Sequence, residues 1–145
     1  LKIIGEPGLK NHETYFESLK EMVEKMNLQS YIKFIGSIPN KLIPEKLTVS
    51  DIFINLSNTG SVDKAILEAM SSEVIPITSN VAFNNILKQE LLTKQHNHEM
   101  LAQKIINIKN KSREDKEILQ KNLRKIVTEN HNLNNLVAKI VKSFN

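Results

Sequence analysis

The sequence predicts an α/β domain built on an open parallel sheet with helices on both faces. Three observations predict it. Short apolar strands alternate with helical periodicities through the first half of the chain. The strands end in turn chemistry, such as Glu6-Pro7-Gly8, Gly36 and Pro39-Asn40. From His98 onward only helical periodicity remains.

The elements follow in order. Leu1–Gly5 reads as a first apolar strand. Asn11 to Asn27 reads as a helix, with Tyr15, Leu19, Met22, Val23 and Met26 on its buried face. Tyr31–Ile38 is a second strand ending near Gly36, and Lys41–Val49 a short helix with Pro44 near its first turn. Asp51–Leu56 is the third strand, Val62–Ser72 a helix, Val74–Thr78 the fourth strand, and Ala82–Lys88 another helix. Parallel strands joined by such crossovers form a Rossmann-like layer. Three helices close the chain. Met100–Ile108 is apolar at Leu101, Ile105 and Ile108, and Arg113–Glu129 at Leu119, Leu123, Ile126 and Val127. Leu133–Phe144 carries Leu133, Leu136, Val137, Ile140, Val141 and Phe144 on one face. These helices are expected to cover the sheet or a partner domain rather than form a second domain.

Composition narrows the classes of function. At 145 residues, with 40% apolar and 25% charged residues, the chain suits one soluble domain with one core. Cysteine is absent, which removes disulfides and thiolate metal sites and fits a reducing cytoplasm. The formal net charge is +4, but the lysines are interspersed with glutamates, arginine occurs only at Arg113 and Arg124, and aromatics are 5%. Nucleic-acid binding wants a clustered basic stripe with stacking aromatics, so no nucleic-acid partner is expected. A modest basic excess suits anionic small molecules or an anionic membrane surface. His96-x-His98 beside Glu99 lacks a further ligand and reads as a solvated loop, so no metal site is expected. The face bearing Glu13, Glu17, Glu21 and Glu24 reads as solvated.

One segment carries chemistry. After the third strand come Ser57-Asn58-Thr59-Gly60-Ser61-Val62-Asp63-Lys64, then Ala65-Ile66-Leu67-Glu68-Ala69-Met70. Gly60 allows a tight turn, and Ser61 is a candidate N-cap. The helix is expected to bury Val62, Ile66, Ala69 and Met70 and to share Ser61, Lys64 and Glu68 on a polar face. Ligands of open parallel sheets bind beyond the carboxyl ends of the strands. A helix start there offers unpaired N–H groups and partial positive charge to phosphate. Lys64 adds a cation, and Glu68 can accept from two adjacent hydroxyls. A diphosphate beside a diol describes a nucleotide sugar. The plainer reading is a surface ion pair between Lys64 and Glu68, which are i, i+4 neighbours.

The stretch Thr59-Gly60-Ser61-Val62-Asp63-Lys64 with Leu67-Glu68-Ala69-Met70 resembles the donor-binding motif of family-4 (group 1) glycosyltransferases, in its TGS-x-DK-x-x-LEAM variant. Leu1–Gly8, Tyr31–Ile38, Asp51–Ser57 and the last helices resemble the family's corresponding segments in order. The resemblance implies the C-terminal, donor-binding half of a GT-B fold. It also implies a retaining, metal-independent transfer from a nucleoside-diphosphate sugar to a glycan or lipid-linked acceptor, with no cofactor. Glu68 corresponds to the glutamate that holds the ribose hydroxyls. Thr59, Gly60, Ser61, Val62, Asp63 and Lys64 would line the donor, while Gly36, Ser37 and Ile38 would lie near the nucleobase. No residue is assigned as catalytic.

Three departures stand out. Gly60 occupies the position of the family's first glutamate; Glu73 and Ile75 replace its Gly and Pro; Asn84-Asn85 replaces a Gly-rich turn. The resemblance further implies an upstream strand–helix unit with phosphate-clamping basic residues and an N-terminal acceptor domain. The chain is therefore expected to be a fragment, inactive alone, from a cytoplasmic protein that touches the inner face of a membrane. A non-catalytic Rossmann-like binding or assembly module is the alternative reading. A sugar-nucleotide epimerase would need rim carboxylates and histidines that cannot be placed here.

Overall fold

The computed structural model describes residues 1–8 and 12–144. They fall into two units, Leu1–Ile43 and Pro44–Asn145, and each holds one pair of parallel strands. The four expected strands are all present, each shorter than its apolar run.

In the first unit, β1 (Lys2–Ile4) pairs with β2 (Lys33–Gly36). Lys2 faces Lys33 and Ile3 faces Phe34; the register then slips, so that Ile4 faces Gly36. Gly36 has φ +78, a backbone conformation that glycine tolerates freely. The crossover between the strands is α1 (Glu13–Lys25). Asn11, where this helix was expected to begin, lies outside the described residues. The inner face of α1 differs from expectation: Phe16, Leu19 and Val23 are half-buried, while Tyr15, Met22 and Met26 are exposed. Both stripes satisfy helical spacing. What selects one is a long-range contact, the edge-on packing of Phe16 against Phe34 of β2 at 5.4 Å between ring centroids. The helix ends in a Schellman turn on left-handed Asn27, with Leu28 N–H donating to Val23 and Asn27 N–H to Glu24.

In the second unit, β3 (Ile52–Asn55) pairs in unbroken register with β4 (Ile75–Thr78), from Ile52 opposite Ile75 to Asn55 opposite Thr78. It is preceded by a 3₁₀ turn, Asn40–Leu42, running into α2 (Ile43–Thr48). All four residues of β4 are buried. Its proline is tolerated for a geometric reason. Ile75 and Ser79 donate to Asp51 and Asn55, so alternate N–H groups of this strand point at β3. Pro76 falls on the opposite side, where among the described residues the chain pairs only at Thr78 with Leu92.

The crossover α3 (Lys64–Ser71) buries Ile66, Ala69 and Met70. Val62, expected in that face, precedes the helix and is 45% exposed. The helix closes with Val74 N–H on Ala69 and Glu73 N–H on Met70. Glu73 itself stands at φ +58, the left-handed position that a glycine would occupy without strain. Arg124 braces this end, donating to the Ser71 carbonyl at 2.8 Å.

No α-helix forms over 82–88. Asn80 accepts from Ala82 N–H and starts a 3₁₀ turn, Val81–Phe83, and non-helical turns follow. Phe83 and Leu87 plug the core from these turns, and Asn84-Asn85 suits them. Then α4 (His98–Lys109) and α5 (Arg113–Asn130) cover the sheet through Ile108, Leu119 and Leu123, as the periodicity predicts. The last helix, α6 (Leu133–Ser143), leaves Leu133, Leu136, Val137, Ile140 and Val141 exposed.

Candidate functional site

The loop between β3 and α3 is held by a polar network. Asp63, not Ser61, is the N-cap of α3: its Oδ1 accepts from Ala65 N–H at 3.0 Å. Both residue types cap well, and non-local partners decide between them. Asp63 Oδ2 accepts from Asn55 Nδ2 at 2.9 Å and from Ser57 Oγ at 3.4 Å, which ties the cap to the end of β3. Asn55 Oδ1 in turn accepts from Ser57 N–H at 3.0 Å. From the end of β4, fully buried Asn80 donates Nδ2 to the Ser61 carbonyl at 2.8 Å and to Ser57 Oγ at 3.3 Å. Sequence reasoning missed Asn55 and Asn80. The signal available was their position, each at the carboxyl end of a strand.

This bracing sets what the segment presents. Thr59, Gly60, Ser61 and Val62 are exposed along the loop, with Gly60 at φ +67 and open space where a Cβ would stand. Ser61 Oγ donates to Thr59 Oγ1 at 3.3 Å. In the first turn of α3 the N–H of Ala65 is taken by Asp63, whereas those of Lys64 and Ile66 have no protein acceptor among the described residues. The Lys64–Glu68 ion pair of the plainer reading does not form; both side chains are exposed and unpaired among the described residues. The segment thus offers N–H donors, an ammonium, and one turn further on a carboxylate with free acceptor capacity.

Gly36, Ser37 and Ile38 belong to the first unit. There Gly5 N–H donates to the Gly36 carbonyl at 2.9 Å, and Ser37 N–H donates to Glu6 Oε1 at 3.2 Å. A side chain at position 36 would meet Glu6 Oε1 at 3.2 Å. The backbone groups that resemblance assigns to a nucleobase are therefore held by the turn after β1, with Glu6 as an unforeseen participant.

Beyond the carboxyl end of β4 lies an open cleft of about 500 Å³. Its lining includes Asn58, Ser79, Asn84, Gln89, Thr93 and Lys94, of which only Asn58 falls within the segment singled out from sequence. Among the described residues no group of three or more His, Asp or Glu side chains converges as a metal site would require, and His96, His98 and Glu99 form none.

Comparison with known proteins gives a consistent picture. A family profile described as "Glycosyl transferases group 1" matches residues 1–132. The chain is 35% identical over 63 residues to a phosphatidylinositol N-acetylglucosaminyltransferase subunit of Arabidopsis thaliana. That stretch is 43% of this chain and spans 14% of the plant protein. The fold of this chain is similar to the catalytic domain of a cholesterol-alpha-glucosyltransferase from Helicobacter pylori, with a TM-score of 0.69 at 20% identity, covering 79% of this chain and 72% of that one.

Proposed function

Because this chain belongs to the group 1 glycosyltransferases, with the family match running from residue 1 to 132, we propose that it binds a nucleoside-diphosphate sugar at the start of α3. In this reading the diphosphate accepts from the N–H groups of Lys64 and Ile66 and pairs with the Lys64 ammonium, at the positive end of the helix. Glu68, one turn further on, accepts from the two ribose hydroxyls. Thr59 to Asp63 form the wall beside the donor. The intact protein would use this donor site for a retaining, metal-independent transfer.

The observation that carries the reading is the unpaired Glu68 carboxylate above a helix start whose loop is fixed by Asp63 and Asn80. A preset loop reduces the ordering cost of binding. The name of the plant relative includes phosphatidylinositol, which supports a lipid-borne acceptor for the intact protein. Among the described residues no helix is long and apolar enough to cross a bilayer.

Titration of the labelled chain with UDP-, GDP- and ADP-sugars, followed by NMR, tests this. One donor should shift the amides of residues 60–68, and chelator should leave the shifts unchanged. Glu68→Ala should weaken binding about tenfold or more, the order expected for losing hydrogen bonds to a charged acceptor. Silence at residues 60–68 with every nucleotide, or an unaltered affinity in Glu68→Ala, refutes the assignment.

A further inference from the structure

The cleft beyond β4 has a chemical character of its own. Four side-chain amides border it, from Asn58, Asn84, Gln89 and Gln95. Among the described residues none of the four makes a hydrogen bond within the protein. Each amide both donates and accepts, as a sugar hydroxyl does. Leu92 and Met100 supply apolar surface of the kind that covers the C–H face of a pyranose ring. Among the described residues the only charged lining group is Lys94, which makes no ion pair, and no carboxylate borders the cleft.

A second observation points to a ligand. Thr93 is 8% exposed, and its Oγ1 is, among the described residues, the sole buried side-chain polar atom without a hydrogen-bond partner. Buried hydroxyls are nearly always paired, so an orphan on a residue that lines the cleft calls for an explanation. The wall is also firmly built. Lys104 donates to the Gln89 carbonyl at 2.6 Å, Lys111 pairs with Glu90 at 2.9 Å, and Thr93 N–H donates to Thr78.

We propose that this cleft is a second ligand subsite, one that takes an anionic carbohydrate: a ring of hydroxyls bearing a carboxylate or a phosphate. The amides match the ring hydroxyls, rotation of Thr93 about χ1 would bring its hydroxyl to them, and Lys94 selects the charge. Its side chains are distinct from the Lys64–Glu68 helix start, so this subsite can fail while the donor reading stands, or the reverse. Within glycosyl transfer it would select for an acidic sugar unit.

The test is NMR titration of the whole chain with glucuronic acid, glucose 6-phosphate, glucose and inorganic phosphate. Both acidic sugars, or the one whose anion the site prefers, should shift the backbone amides of Thr93 and Lys94 and the side-chain amides of Asn84 and Gln89. Glucose should bind about fivefold more weakly, the order expected of one exposed ammonium in salt. Lys94→Gln should bring that ratio close to one. Thr93→Val should weaken every sugar while raising the urea midpoint of the chain, a combination that a purely structural role for Thr93 does not produce. Three results overturn the proposal: inorganic phosphate binding as tightly as the acidic sugars, shifts confined to other surfaces, or a ratio unmoved by Lys94→Gln.

Discussion

Replacing Asp63 by alanine removes three acceptor contacts at one half-buried carboxylate: the cap on Ala65, the bond from Asn55 and the longer one from Ser57. Loss of an N-cap costs about 1 kcal/mol. The Asn55 bond goes to a charged acceptor and contributes about 1.5 kcal/mol at the low end of its range, since the site is only half-buried. The 3.4 Å contact from Ser57 adds little. The expected total is about 2–3 kcal/mol. Asp63→Asn should cost less, about 1 kcal/mol, because a carbonyl oxygen still caps while an amide now opposes the amide of Asn55. Asn55 cannot simply turn over, since its own oxygen is engaged by Ser57 N–H. Urea denaturation measures both variants. With a slope of about 1–3 kcal/mol per molar, the alanine variant should lose roughly 1–2 M in midpoint. If alanine and asparagine both unfold within about 0.3 kcal/mol of the parent, Asp63 does not tie the loop and the reasoning is refuted.

Two further predictions concern stability. Gly60→Ala meets no atom but places a Cβ at φ +67, so it should destabilise the chain by about 1 kcal/mol in the same assay; an unchanged midpoint would mean the turn relaxes freely. The hydrogen bond to Glu90 raises the pKa of Lys111 above 10.5; burial opposes the shift, and the charges of Glu90 and Asp115 add to it. A raised folded pKa means the contribution is complete below about pH 10.5 and is lost as pH climbs through the folded value. The stability gap between parent and Glu90→Gln should therefore be flat from neutral pH up to that point and shrink above it; a gap constant well into the alkaline range contradicts the pairing.

Periodicity and turn chemistry were sufficient to locate every strand and the three C-terminal helices. They were insufficient wherever two residues competed on equal local terms. Ser61 and Asp63 are both good caps, and the choice falls to Asp63 through Asn55 and Ser57, which reach it across the loop. Tyr15, Met22 and Met26 repeat as faithfully as Phe16, Leu19 and Val23, and only Phe34 on another element separates them. The segment 82–88 has helical spacing, yet Asn80 caps a 3₁₀ turn there and the buried Phe83 and Leu87 are reached without a helix. The candidate residues 59–68 could be singled out from sequence because they are contiguous. Asn80 was not, because its role is to hold a loop 19 residues away.

The cap of α3 has a consequence for binding. A helix start is worth about half a positive charge, and a carboxylate seated on it outweighs that. Asp63 is such a resident anion, and Lys64 beside it restores balance, so the helix start carries only about half a unit of net positive charge. A diphosphate bound there, as proposed, would meet about half a unit of positive charge rather than the roughly one and a half that the helix start and Lys64 would present without Asp63. Its affinity must come from directed N–H bonds more than from long-range attraction, so binding at this pole should depend weakly on salt and strongly on loop geometry. The carboxylate that shapes the loop before α3 thereby also limits its electrostatic pull.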